Sequence, residues 1–406
     1  MCNARISAGK EKTMFQTNKT VKPRKKSYYP FSKNYPGRRT GTKYAIGESR
    51  ARRKKERNNT ILYAVSLVLA FFVVFSVASV VFMLSKRPLR DNTATADGAA
   101  AQWQAVYMNG DELGGGIAFD LFQSTLSAQS ANTVLVDFKD ASGQLCTAAD
   151  GSTAAEIGAA AAPVTTAADT VARLKAGGYK IILRVYCFQD PVAAANLPGA
   201  AVTEADGVTV WLDDSARNGG NPWLNPYSET ARTYLLQVIN EAVAFGADMI
   251  LLDGVSFPES RYIDRAVFPG EAESIFSRNA ILHDFIEQAA AVAGDVPLAV
   301  NMPLSAALSG SSSLYGGGIF DSAAEYSAVD MRSAALADGT VLGDVTYTNG
   351  MDAQQYVPSA CALLQDRLAE NYQTKALFVV ADTPEQVFAA QNAGILNYIL
   401  FPQKDT

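Results

Sequence analysis

Carboxylate side chains recur at or just after the ends of apolar, strand-like runs. Asp137 and Asp140 follow one run, Asp253 ends another, and Glu259 comes shortly after it. Burying an unpaired Asp is costly, so Asp253, preceded by four apolar residues, is the sharpest candidate. Glycoside hydrolysis needs two carboxyl groups, one as nucleophile or base and one as acid. These four acids are therefore the predicted catalytic residues, although Asp137 is as readily structural, and Asp253 could pair with Arg184.

Other catalytic chemistries lack their residues. His283 is the only histidine, so a Ser/His/Asp or Cys/His mechanism has no second His to use. There is no CxxC motif and no Cys/His cluster, which disfavours a zinc site. The sequence predicts carboxylate chemistry without a metal or cofactor.

A long segment after the third apolar run combines aromatic and short polar residues. Trp211, Trp223, Asn225 and Tyr227 lie in it, and aromatic faces with polar groups suit sugar rings. We predict that they bind substrate, with a loop folded on its own aromatic residues as the alternative. In the preceding run, Arg184 and Tyr186 are further predicted substrate contacts.

Eight apolar runs alternate with helical patterns and must position these side chains. Most runs are almost continuously apolar, which is typical of parallel strands buried on both faces. They cover residues 104–108, 133–137, 180–188, 249–257, 297–302, 327–331, 376–381 and 398–401. The pattern predicts an α/β fold, a (β/α)8 TIM barrel, whose functional groups gather at the carboxyl ends of the strands. An open doubly wound sheet is the alternative, but no phosphate-binding glycine motif supports its nucleotide-binding form.

One segment predicts a membrane anchor. Residues 61–84 contain no charged residue, and such a helix would cross a hydrocarbon core of about 30 Å. Before it stand 18 Lys and Arg against three Glu. The positive-inside rule therefore predicts a cell-membrane protein with a cytoplasmic N-terminus and an extracytoplasmic C-terminal domain.

The charge balance predicts four regions. Residues 1–58 form a basic, disordered tail, 60–84 the transmembrane helix, 85–102 a flexible stalk, and 103–406 the barrel. The tail is suited to contact anionic lipids or nucleic acid, or it only sets the topology. The part beyond the membrane is acidic, which disfavours nucleic acid as its partner.

Four segments carry a resemblance to a known family. In order they are VLVDFKD, IILRVYCFQDP, NPWLNPY and ILLDGVSFP. They resemble a bacterial family of glycoside hydrolase-like domains with a TIM-barrel fold, over about residues 105–402. The resemblance implies that Asp253 is the catalytic carboxylate. Where the family carries an Arg and a second acid, this chain has Ser256 and Asn301.

These departures leave two functions open. An amide cannot act as a general acid, so Asp253 would need another carboxyl partner, and Asn301 becomes a predicted substrate contact. The first function is a membrane-anchored glycoside hydrolase that cleaves cell-wall or extracellular polysaccharide. The second is a catalytically degenerate barrel that binds glycan or an envelope partner without cleaving it.

Overall fold

A computed structural model of the chain describes residues 102–160, 163–309, 312–371 and 375–402. All of them lie in the unit formed by residues 94–406. The predicted basic tail, transmembrane helix and nearly all of the predicted stalk lie outside the described residues. Within the described ranges, no helix has the length and apolar character needed to cross a membrane.

Eight parallel strands close into a barrel, which confirms the predicted (β/α)8 architecture. Every predicted run overlaps one barrel strand. The strands are β1 Gln104–Met108, β2 Thr133–Lys139, β3 Lys180–Tyr186, β4 Met249–Asp253, β5 Leu298–Pro303, β6 Tyr326–Asp330, β9 Ala376–Ala381 and β10 Asn397–Leu400, with β10 paired to β1. A small antiparallel pair, β7 Val341–Leu342 and β8 Val345–Thr346, lies between β6 and β9.

Helices follow most barrel strands. They are α1 Gly110–Leu113, α2 Gly116–Ala128, α3 Thr153–Glu156, α4 Ala167–Ala176, α5 Pro191–Asn196, α6 Glu229–Phe245, α7 Arg278–Ala293, α8 Leu304–Ser309, α9 Ala353–Asn371 and α10 Pro384–Asn392. Polar residues begin several of them: Ser228 accepts a hydrogen bond at the start of α6, and Ser277 does so for α7. Such caps satisfy backbone N–H groups that have no partner in the first turn.

The strands are buried on both faces, which explains their nearly continuous apolar sequence. Alternate residues point into the barrel and outward to the helices. The inner layer includes Leu135, Ile182, Leu251, Ala299, Ala328 and Phe378. The outer faces and the helices form a larger, separate cluster. The inner layer closes the barrel beneath the carboxyl ends of the strands.

We expect Lys375, just before β9, to make stability depend on pH. Its ammonium donates hydrogen bonds to the carbonyls of Ser322 (2.6 Å) and Ala324 (2.9 Å), and burial lowers its pKa from 10.5 to about 8. Between these values the unfolded chain binds more protons than the folded chain, so stability rises with pH. As the pH rises from about 8 to 10.5, we expect the free energy of unfolding of the wild type to increase by on the order of 2 kcal/mol relative to that of Lys375→Gln. Urea denaturation of both proteins measures this difference, and a constant difference across the window would contradict the prediction.

Candidate active site at the barrel rim

Polar side chains take over directly above the apolar inner layer of the barrel. Because side chains alternate along a strand, the residue two places after an inner-layer residue also faces inward. Five of the inner-layer residues are followed, two places along their strands, by an inward-facing polar residue. The five pairs are Leu135 and Asp137, Ile182 and Arg184, Leu251 and Asp253, Ala299 and Asn301, and Ala328 and Asp330. The carboxyl ends of five strands thus contribute polar groups to one region.

Arg184 lies at the centre of this region. Its Nε donates to Oδ1 of Asp137, and its Nη2 donates to Oδ2 at 2.9 Å. Its Nη1 lies 3.7 Å from Oδ2 of Asp253. The side chain is 8% exposed. Burial opposes its charge, but Asp137, with smaller contributions from Tyr186 and Asp253, raises its pKa above the usual value. One guanidinium therefore separates the two predicted catalytic carboxylates and remains charged.

Asp253 is held in a defined orientation. Its Oδ1 accepts hydrogen bonds from the Gly254 backbone N–H at 2.9 Å and from Asn301 Nδ2 at 3.1 Å. Its side chain is 12% exposed. The Oδ1 atom of Asn301 is buried and has no hydrogen-bond partner among the described residues. Asn301 thus positions Asp253 through its amide nitrogen and retains a free acceptor.

Aromatic rings surround the guanidinium. The Cζ of Arg184 lies 4.9 Å from the Tyr186 ring, 5.0 Å from Phe401 and 5.3 Å from Tyr107. Burial, and then the charge of Asp253, raise the pKa of Tyr186, and burial followed by Asp137 does so for Tyr107. Both phenols stay neutral, and Tyr107 donates to Asp137 Oδ2 at 2.8 Å. The rim therefore combines fixed carboxylates with neutral hydroxyl groups.

A second Arg–Asp pair completes the rim and was missed by the sequence analysis. Arg332 Nη2 donates to Asp330 Oδ2 at 2.6 Å, and its Nε donates to Asp330 Oδ1 at 3.0 Å. The guanidinium lies 4.6 Å from the Phe401 ring. Asp330 ends an apolar strand as Asp253 does, and that shared pattern was the available signal.

Two of the four predicted catalytic acids, Asp140 and Glu259, form no hydrogen bond or ion pair with Arg184 or Asp253 among the described residues. Asp140 Oδ1 accepts hydrogen bonds from Ser142 N, Ser142 Oγ and Gln144 N, so it caps the loop after β2. Glu259 is exposed in the loop after β4. Within the described part of the chain, Glu259 forms no hydrogen bond or ion pair with the rim residues. The catalytic roles of Asp140 and Glu259 stay predictions, and Asp140 lines the cavity beside Asp137.

Three of the four loop residues predicted to bind substrate are buried, which corrects that prediction. Trp211 has no exposed surface and donates through Nε1 to the Tyr262 carbonyl at 3.0 Å, and Trp223 donates to Asp213. Asn225 is fully buried and donates to the Pro269 carbonyl. These three residues stabilise the loop itself, as in the alternative. Tyr227 is partly exposed and packs against Phe257, and its substrate contact stays a prediction.

Replacing Trp211 therefore tests stability. Trp211→Ala removes a fully buried indole, and we expect the free energy of unfolding to fall by roughly 3–5 kcal/mol. Val208→Ala, in the same loop at 83% exposure, is the matched control, with a change within about 0.5 kcal/mol. Urea denaturation measures both. A Trp211→Ala protein as stable as the control would show that the indole is not a core residue.

A cavity of about 180 Å³ opens beside Asp137 and Tyr107, with Asp140 and Gln144 in its wall. A larger one, of about 570 Å³, lies between α3 and α6 and contains none of the rim residues. We consider the smaller cavity the relevant one, because Asp137 lines it. In the described ranges, no three His, Cys, Asp or Glu side chains are grouped to hold a metal ion.

Comparison with known proteins supports the class of the domain. Residues 105–306 match the family described as "Putative glycosyl hydrolase domain", which confirms the resemblance noted in the sequence. The match covers β1 to β5 and therefore Asp137, Arg184, Asp253 and Asn301. A search of curated proteins finds no match.

Several solved structures are similar to this chain at low identity. A hypothetical protein from Ruminiclostridium thermocellum ATCC 27405 is 24% identical over 48% of this chain and 96% of its own, with a TM-score of 0.42. An α-galactosidase from Thermus thermophilus is 14% identical over 75% and 59%, with a TM-score of 0.44. The glycoside hydrolase domain of PelA from Pseudomonas aeruginosa is 13% identical over 75% and 96%, with a TM-score of 0.36. Likenesses this distant carry no argument about activity.

The fold and the family match describe the same kind of domain. The described domain is a TIM barrel whose first five strands match the family described as "Putative glycosyl hydrolase domain", with polar side chains at the carboxyl ends of the strands. The prediction of this enzyme class is confirmed at the level of the family match.

Proposed function

We propose that the domain hydrolyses glycosidic bonds of a polysaccharide, with Asp253 as nucleophile or general base. The orientation of Asp253 carries this proposal. One oxygen is fixed by Gly254 and Asn301, and the other faces Arg184 near the barrel axis. A carboxylate held in this way needs little reorganisation to attack a sugar carbon or to activate water.

Asp137 is the best-placed candidate for the second carboxyl group. It lies on the other side of the Arg184 guanidinium from Asp253, and two-carboxylate mechanisms work at separations of about 5–9.5 Å. To donate a proton, Asp137 must give up a hydrogen bond from Arg184 or Tyr107. Binding of a sugar hydroxyl in the cavity beside Asp137 would supply the replacement partner.

A glycan-binding barrel without hydrolysis is the second candidate function. The pairing of the other rim acids favours this function, because Asp137 and Asp330 each bind a guanidinium through both carboxylate oxygens. Asn301 stands at the inward position of β5 and cannot donate a proton as an acid. In this function, the free Oδ1 of Asn301 and the phenols of Tyr107 and Tyr186 bind sugar hydroxyl groups.

We further propose that the domain acts outside the cell membrane, next to surface polymers. The uncharged segment 61–84 and the preceding basic residues support this placement. Labelling of single introduced cysteines on intact cells with an impermeant reagent tests it. Labelling before the segment but not after it would overturn the proposed orientation.

The function itself is tested with the purified full chain, peptidoglycan and a panel of exopolysaccharides. New reducing ends and co-sedimentation with insoluble polymer are measured together. Release of sugar by the wild type supports hydrolysis. Co-sedimentation without release supports the binding function, and the absence of both on every polymer overturns both candidates.

A further inference from the structure

A fully buried ion pair lies directly behind the rim. Lys139 Nζ is 2.9 Å from Asp190 Oδ2, and neither side chain has exposed surface. The same ammonium donates to the Tyr186 backbone carbonyl at 2.6 Å. Asp190 Oδ1 accepts from Ala193 N at 2.8 Å and so begins α5. The pair therefore ties the end of β2 to the chain that leaves β3.

A bulge in β2 makes this arrangement possible. Asp137 is in register with Arg184, but Lys139 is in register with Val185, so one extra residue is accommodated between them. Bulges of this kind redirect side chains. Asp137 contacts Arg184 at the rim, whereas Lys139 reaches Asp190 behind it. The loop after β2 also packs tightly here, because a Cβ on Gly143 would lie within 2.3 Å of Asp190 Oδ1.

The chain held by this pair also supports Asp253. Cys187 N donates to the Asp253 carbonyl at 2.8 Å, and Phe188 N donates to the Gly254 carbonyl at 3.1 Å. Gly254 N in turn donates to Asp253 Oδ1. Residues 186–190 are thus fixed by the ion pair and, through two backbone hydrogen bonds, define the position of Asp253 and Gly254.

We propose that Lys139 and Asp190 are positioning residues for the rim site, which orient Tyr186 and Asp253 through residues 186–190. Replacing a buried ion pair by neutral residues often costs no stability, whereas leaving one charge unpaired is costly. A pair kept only for stability is therefore replaceable, but a positioning pair is not. The kinetic test of this proposal rests on the proposed hydrolysis, whereas the spectroscopic test does not require any activity.

The test compares Lys139→Met, Asp190→Asn and the double variant in the full chain. Each single variant leaves an unpaired buried charge, so we expect the midpoint of thermal unfolding to fall by on the order of 10 °C. The double variant should regain most of that loss. Its kcat should nevertheless stay lower than that of the wild type by roughly 10- to 100-fold, with little change in KM, because Asp253 is displaced.

A matched control uses the same substitutions at an exposed pair. Lys175 and Asp248 lie 3.2 Å apart at the opposite end of the barrel, with side chains 36% and 38% exposed. Lys175→Met with Asp248→Asn should leave both the unfolding midpoint and kcat near wild-type values. If the Lys139/Asp190 double variant regains stability together with wild-type kcat, the pair is structural only and the proposal is overturned.

A second measurement does not depend on activity. With tyrosine labelled by ¹³C at Cζ, the Tyr186 signal is assigned from its loss in Tyr186→Phe. We expect this signal to shift in the double variant and to stay in place in the Lys175/Asp248 control. If the wild type releases no sugar, the proposed hydrolysis fails, and an unchanged Tyr186 signal would separately overturn the positioning role.

Gly143→Ala provides a further variant if the double variant does not fold. It leaves both charges in place and pushes a Cβ against Asp190. We expect the same shift of the Tyr186 signal and a lower kcat. A folded Gly143→Ala protein with neither change contradicts the proposal.

Discussion

Replacing Asp253 with asparagine is expected to reduce sugar release by on the order of 10³-fold, because the amide can neither attack the sugar nor accept a proton. Folding should be little affected. The amide oxygen can accept the hydrogen bonds from Gly254 and Asn301, and Arg184 keeps its bidentate partner Asp137. Initial rates of reducing-end formation on the polymer cleaved by the wild type measure the loss, and thermal unfolding checks the fold.

Two controls separate Asp253 from the other acids proposed from sequence. Asp140→Asn retains the oxygen that caps its loop, and Glu259→Gln changes an exposed side chain. Both variants should release sugar at rates within about threefold of the wild type. Glu259→Gln changes a surface group, and Asp140→Asn keeps the size and the loop-capping oxygen of a cavity-wall residue that has no proposed reacting role. Undiminished release by Asp253→Asn would remove this residue from the mechanism. A large loss in Glu259→Gln would instead place the acid in the loop after β4.

Replacing Arg184 with methionine is expected to lower the free energy of unfolding by roughly 3–5 kcal/mol at neutral pH. The change leaves Asp137 and Asp253 close together, with little exposure and without the guanidinium that separates them. It also removes the cation from between the rings of Tyr186, Phe401 and Tyr107. Sugar release should be lost as well, because Asp137 loses its bidentate partner and the charge between the two carboxylates is removed. Urea denaturation gives the free energy.

A second substitution at the same site and a control at an exposed ion pair test the prediction for Arg184. Adding Asp137→Asn to Arg184→Met removes one of the two unpaired charges, so part of the stability should return. Arg265→Met breaks a bidentate pair with Glu204 in which the arginine is 58% exposed, and this should cost less than about 1 kcal/mol. If Arg184→Met is no less stable than Arg265→Met, the rim carboxylates do not depend on the guanidinium.

The strands were predictable because the information is local. Parallel strands buried on both faces need apolar residues at almost every position, and that pattern is visible in β3 and β4 without any knowledge of their neighbours. The same reasoning located Asp253 and Arg184, since a charged residue in such a strand is conspicuous. Asp330 is also a charged residue at the end of a largely apolar strand, so the same reasoning would have located it.

The loop aromatics could not be assigned from sequence. From their residue type, Trp211 and Trp223 could equally form a sugar-binding surface or a small hydrophobic core. Whether an indole faces solvent depends on what the rest of the loop packs against, here Tyr262 and Asp213. Lys139 was missed for a related reason, because the β2 bulge that turns it towards Asp190 leaves no mark in the residue pattern.

The amino-acid sequence by itself determined the alternation of strands and helices, the acidic character of the domain and the placement of carboxylates at strand ends. These properties follow from residue type and spacing along the chain. Only the tertiary structure decided which carboxylates meet. Closure of the barrel brings Asp137 and Asp253 to either side of Arg184, whereas Asp140, three residues from Asp137, caps a loop. Contacts between residues distant in the chain decide this, and no local pattern encodes them.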